Sequence, residues 1–180
     1  MPFSDSATGA AYSPADRLLH KLALGFAPAM ATSFDLECAR FGRAAQARPA
    51  GPPIFVCGLA RAGTSLVTRL IASAPGIAFP SYRDMPFPLA PNLWARLGGH
   101  KRRVAHAERG HGDGLGHDLD TPEAIEEAFW RCFEGRRYIR NEGLSPVAPE
   151  PETLAAFRRY MALVRLRGGG ERYLSKNNNN

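Results

Sequence analysis

The run Pro53-Ile54-Phe55-Val56-Cys57 followed by Gly58-Leu59-Ala60-Arg61-Ala62-Gly63-Thr64-Ser65, PIFVC then GLARAGTS, decides how the rest of the chain is read. Ile54 to Cys57 is short, continuously apolar and rich in β-formers, the pattern of a parallel strand buried on both faces. From Ser65 the chain reads SLVTRLIASAPG, with Leu66, Val67, Leu70, Ile71 and Ala74 at helical spacing and Pro75-Gly76 as a stop. The order predicts a strand, a glycine loop and a helix over Pro53 to Ser73, in a mainly parallel sheet with helices on both faces.

Backbone amides in a glycine-rich turn, joined by the unpaired amides of the next helix, bind an oxyanion. That reading makes Gly58, Ala62, Gly63, Thr64 and Ser65 candidate anion-binding positions. A loop for nucleoside triphosphates carries a lysine before its hydroxyl and a magnesium ion beyond it. Here Thr64 stands at the lysine position and the cation is Arg61, inside the loop. An arginine grips two oxygens at once and keeps its proton, which suits a small tetrahedral anion without a metal.

These residues resemble a known family. IFVCGLARAGTSLVTRLI is similar to the 5'-phosphosulfate loop of sulfotransferases, in the branch that includes the tyrosylprotein and many bacterial enzymes. The resemblance implies an α/β P-loop-type three-layer fold and 3'-phosphoadenosine 5'-phosphosulfate as co-substrate, with no metal. It places Arg61, Gly63, Thr64 and Ser65 at the donor. Ala60 stands where that branch has proline, and Ala62 where it has serine. YLSKNNNN, Tyr173 to Asn180, resembles a strand-end segment of the same enzymes, which implies that Lys176 lies beside the transferring sulfuryl group. The arginine and serine that hold the donor's 3'-phosphate in that family have no counterpart up to Asn180, so the chain is expected to be an N-terminal part of such a domain, with a degenerate relative that cannot hold the donor fully as the alternative.

The remaining sequence organises around this unit. The chain has 180 residues, 44% hydrophobic and 22% charged, which fits a globular protein with a sizeable core. Residues 1–52 read as a helical segment and linker, and 53–180 as the sulfotransferase-like part. Ser13-Pro14 opens a helix through Leu18, Leu19 and Leu22 to Gly25; a second short helix is expected over Ser33 to Phe41. Pro80 to Gly116 has little periodicity apart from a turn of helix around Leu89 to Leu97, and reads as an active-site or lid region. Thr121-Pro122-Glu123 opens a helix burying Ile125, Ala128, Phe129, Cys132 and Phe133 and closed by Gly135. A long helix from Pro151 to Arg167 buries Leu154, Phe157, Met161 and Val164, with Arg165 and Arg167 complementing its dipole. Gly168-Gly169-Gly170 stops it, and Tyr173 to Ser175 forms a strand.

Sulfuryl transfer to a hydroxyl or amine needs a base, and Asp84 in FPSYRDMPF is the candidate, with a simple ion pair to Arg83 as the alternative. His100, His106, His111 and His117, with Asp113, Asp118 and Asp120, match no established metal-ligand spacing. Cys38, Cys57 and Cys132 read as reduced thiols. Net charge is +6, but the arginines are scattered and the aromatics are not interleaved with them, so no nucleic-acid partner is expected. No signal peptide or membrane span is visible, and the expected location is cytoplasmic. The expected partner is a small-molecule or peptide acceptor. A P-loop kinase or NTPase and a non-catalytic anion-binding relative stay open beside the sulfotransferase reading.

Overall fold

The structure, a computed structural model, describes residues 27–59, 62–98, 107–108, 116–117, 120–122, 124–141 and 143–177. The helix expected over Ser13 to Gly25 lies outside them, as do Ala60, Arg61 and most of the segment between Gly98 and Asp120. In chain order the elements begin with α1 (Ala27–Gln46), β1 (Ile54–Cys57), α2 (Thr64–Ala72), β2 (Ile77–Ala78), a 3-10 turn at Tyr82–Asp84 and α3 (Pro91–Arg96). They continue with β3 (Ala107–Glu108), β4 (Gly116–His117), α4 (Glu127–Phe133), α5 (Gly135–Tyr138), β5 (Ile139–Arg140), β6 (Gly143–Leu144), α6 (Pro151–Gly168) and β7 (Arg172–Asn177).

The architecture is mixed α/β. Three parallel strands pair in the order β1-β7-β2, so the last strand inserts between the first two. Side chains alternate across a strand. Tyr173 meets the rings of Phe157 and Tyr160 in α6, whereas Lys176 reaches Ser65 in α2. The two helices therefore lie on opposite faces of the sheet. β3-β4 and β5-β6 are separate two-residue antiparallel pairs.

The core is aromatic and lies on the α6 face. Phe129 is fully buried among Phe34, Phe157 and Tyr160, at ring distances of 6.0, 5.1 and 5.4 Å. Phe34 and Phe41 of α1 enter the same cluster as Leu163 and Val164 of α6. Close backbone approach fixes the far end of the sheet: a Cβ on Gly170 would stand 2.8 Å from the Ala78 amide nitrogen, so only glycine lets α6 turn directly into β7 against β2.

Several elements differ from the sequence reading. α1 extends well past both ends of Ser33 to Phe41, because Thr32 and Ser33 donate to the Pro28 and Met30 carbonyls inside the helix instead of capping a new one. α4 begins at Glu127, since Pro122 is drawn into a bridge with Ser81 and Glu126 is buried, accepting from Trp130 Nε1 and the Tyr173 hydroxyl. In α6, Leu154 is exposed; Tyr160 and Leu163 fill the core. Arg165 and Arg167 act on specific partners: Arg165 donates to the Pro49 and Glu171 carbonyls, and Arg167 to the Phe79 carbonyl and Asp84. β1 is parallel as expected but occupies an edge of the described sheet, with Phe55 and Cys57 exposed. Leu66, Val67 and Leu70 of α2 are likewise exposed, and Thr68 is the residue of that helix that is buried. Among the described residues no helix is long and apolar enough to cross a membrane.

Candidate functional site

β1 delivers the chain to the loop at the carboxyl ends of the parallel strands, where open α/β sheets form their ligand crevices. Gly58 must be glycine for space: a Cβ there would stand 2.9 Å from Thr64 Cγ2. Gly63 must be glycine for conformation, with φ of 81° in the left-handed region, and it caps α2 with no side-chain hydrogen bond. The Ala62 amide donates to the Leu59 carbonyl, closing the turn, and the Val67 amide to the Gly63 carbonyl opens the helical ladder. The amides of Thr64, Ser65 and Leu66 consequently have no carbonyl partner within α2 and carry its positive end. Thr68 donates back to the Thr64 carbonyl over 2.7 Å, bracing that first turn.

The second segment singled out in the sequence arrives beside the first. β7 pairs in register with β1, Lys176 opposite Val56 and Asn177 opposite Cys57. Lys176 is buried, and its ammonium donates to the Ser65 hydroxyl at 2.8 Å. A helix N-terminus, a hydroxyl and a fixed cation thus converge on one point. Arg61, the remaining cation of the sequence motif, lies outside the described residues.

Asp84 has a different setting. It is 1% exposed, closes the 3-10 turn by accepting from the Ser81 amide at 2.8 Å, and accepts from Arg167 at 2.7 Å. Its negative field reaches Tyr160 and Glu37 in the core, and burial first, then this charge, raises the Tyr160 hydroxyl well above its ordinary range. Arg83, the expected ion-pair partner, instead forms a bidentate pair with Asp120.

The sequence reading missed a cavity on the α6 side of the sheet. Glu127, Trp130, Glu134 and Tyr138 recur at helical spacings of three, four and four along α4 and α5. With Asn177 of β7 they line a cavity of about 400 Å³. Burial pushes the Glu127 carboxyl up from its ordinary value; Lys176 opposes that shift and Glu126 adds to it. Glu134 behaves oppositely: burial would raise it, but hydrogen bonds from Thr153, the Glu150 amide and Arg137 hold it below its ordinary value. The cue in the sequence was the polar stripe opposite Phe129, Cys132 and Phe133, passed over because the apolar stripe explains the helix by itself.

Among the described residues no group of three His, Cys, Asp or Glu side chains stands close enough to hold a metal ion; His100, His106, His111, Asp113 and Asp118 lie outside them. Compared with protein-family models, curated proteins and solved structures, the chain matches none.

Proposed function

We propose that the chain carries the 5'-phosphosulfate site of a sulfotransferase, with 3'-phosphoadenosine 5'-phosphosulfate as donor and a hydroxyl or amine compound as acceptor. The observation that supports it best is the 2.8 Å contact between Lys176 and Ser65, which joins the two segments whose sequences resemble that family. In this reading the amides at Gly63, Thr64 and Ser65 hold the bridging phosphate, with Arg61 as the loop's own cation. Lys176 faces the oxygen on which charge collects as the sulfur–oxygen bond breaks, and a fixed cation there lowers the barrier. Asp84, committed to Arg167 and the Ser81 amide, serves as an anchor between the β2 exit and α6.

The test is a thermal-shift comparison of adenosine 3',5'-bisphosphate with magnesium-ATP, followed by transfer from sulfur-labelled donor. Stabilisation by the bisphosphate at micromolar concentration and none by magnesium-ATP is expected. The reverse preference would replace this reading with a P-loop kinase or NTPase. Binding without transfer to any acceptor would leave a non-catalytic anion-binding domain.

A further inference from the structure

Arginines that are scattered along the sequence gather on one face of the fold. Leu36, Arg40 and Arg43 follow one another on α1 at intervals of four and three, which aligns them in a single exposed stripe. α3 packs beside that stripe. Its first amides, those of Asn92 and Leu93, donate to the Glu37 carboxylate of α1, and its last residue, Arg96, reaches Phe41 one turn further along. The Arg40 and Arg96 guanidinium carbons each stand 5.1 Å from the centre of the Phe41 ring, so one buried ring supports a cation from either helix. Leu36, one turn before Arg40, is 58% exposed, and Leu97, next to Arg96, is 78% exposed. Among the described residues Arg40, Arg43 and Arg96 form no salt bridge. Glu37 is committed to α3, and Asp35, the exposed acid of α1, turns to the opposite flank, where its charge acts on Cys38 and Cys132.

We propose that this face seats the protein on an anionic bilayer, with Arg40, Arg43 and Arg96 against lipid phosphates and Leu36 and Leu97 entering the acyl boundary. A guanidinium donates two parallel hydrogen bonds to a phosphate and keeps its proton at any physiological pH. Three of them on one face meet the negative surface potential that anionic lipids give a leaflet. The leucines decide between anionic partners. An acidic protein segment would engage the arginines and gain little from two isolated leucines, whereas a bilayer takes up apolar side chains next to basic ones. The opposite side of α1 stays packed in the core, Phe34 and Phe41 with Leu163 and Val164 of α6, so docking needs no rearrangement of the helix. The proposal is independent of what the glycine loop binds.

The test is cosedimentation of the full chain with vesicles of phosphatidylcholine alone or with about 30% phosphatidylserine, at about 0.1 M and about 0.5 M salt. Binding to the anionic vesicles should be at least about tenfold tighter than to the neutral ones, and most of that difference should vanish at the higher salt. Arg40→Glu and Arg96→Glu should each weaken it about tenfold or more. Arg140→Glu makes the same change of charge on the exposed β5–β6 pair and should alter binding less than about twofold. Leu97→Ser leaves the charge alone and should weaken binding about fivefold through the lost apolar contact. All four positions are exposed, so thermal melts should match the wild type. For any reversal that melts early, Arg40→Gln or Arg96→Gln keeps an uncharged polar stem over Phe41 and should still bind several-fold more weakly. Equal affinity for neutral and anionic vesicles, or none for either, would overturn the proposal. So would an Arg140→Glu loss as large as that of Arg40→Glu, which would trace binding to net charge instead of this face. Wild-type binding by Leu97→Ser would make the face an electrostatic dock for an acidic protein.

Discussion

The Lys176 ammonium donates to the Ser65 hydroxyl at 2.8 Å, linking positions 111 residues apart through the parallel pairing of β1 and β7. A buried ammonium held against the first turn of a helix adds its charge to that helix's positive end, so together they favour an anion more than either alone. Lys176→Met keeps most of the side chain's volume and removes the charge. Turnover with saturating donor should fall about a hundredfold or more, the effect usual for one transition-state donor. Near-normal turnover would remove Lys176 from the chemistry.

The loop's shape depends on two glycines for two separate reasons. Gly63→Ala forces a side chain into a left-handed conformation, at a cost of about 1–2 kcal/mol. Gly58→Ala puts a Cβ against Thr64 Cγ2 and displaces the first residue of α2. Both should weaken adenosine 3',5'-bisphosphate binding about tenfold or more by calorimetry, with Gly58→Ala leaving the backbone strain unchanged. Unaltered binding in both variants would mean that the anion sits elsewhere.

What the sequence made legible was local. The apolar run at Ile54 to Cys57, the glycines and the periodicity after Ser65 specify strand, loop and helix because each signal lies within a few residues. What it hid was pairing across distance. An apolar four-residue run reads the same with one neighbouring strand or two, so the edge position of β1 and the exposure of Phe55 could not be seen. Asp84 has Arg83 beside it in sequence, yet the partner is Arg167, 83 residues away.

The Asp84–Arg167 pair separates architecture from catalysis. Asp84 is 1% exposed and Arg167's side chain 14%, so Asp84→Asn leaves a largely buried guanidinium without its counter-charge. Breaking a buried pair on one side costs about 3–5 kcal/mol. Chemical denaturation should show a loss of that order, with turnover per folded molecule nearly unchanged. Wild-type stability with abolished turnover would instead make Asp84 the base.

The three thiols should differ in reactivity. Burial, with help from Asp35, pushes Cys132 up to about 11, and burial also raises Cys38, whereas Cys57 is exposed immediately before the loop. The thiolate is the reactive form, so alkylation at about pH 8 should modify Cys57 first. Adenosine 3',5'-bisphosphate should slow that reaction several-fold by covering the loop, as read by mass spectrometry of the peptides. Equal labelling of Cys57 with and without the nucleotide would argue against binding there.

Glu37 of α1 supplies a cap that α3 lacks in its own sequence. Ala90, at the start of α3, offers no side-chain acceptor, and the fully buried Glu37 carboxylate accepts from the Asn92 amide, the Asn92 side chain and the Leu93 amide at 2.8, 2.7 and 2.9 Å. Asn92 passes its other proton to the Leu163 carbonyl of α6, so one carboxylate ties three helices together. Glu37→Ala strands these donors and should cost about 3 kcal/mol or more, at 1–3 for each buried group left unsatisfied. Burial raises the Glu37 carboxyl above 4.5, and the hydrogen bonds only partly offset this. The folded state therefore binds this proton more tightly than the unfolded state. The group's contribution is fully present below the unfolded value and is lost as pH rises through the folded one. Glu37→Gln removes that titration while keeping the shape. The stability advantage of the wild type over Glu37→Gln, measured by urea denaturation, should accordingly be larger near pH 5 than near pH 8. An advantage that grows with pH would mean that the ionised carboxylate, held by its three donors, is the form the fold prefers.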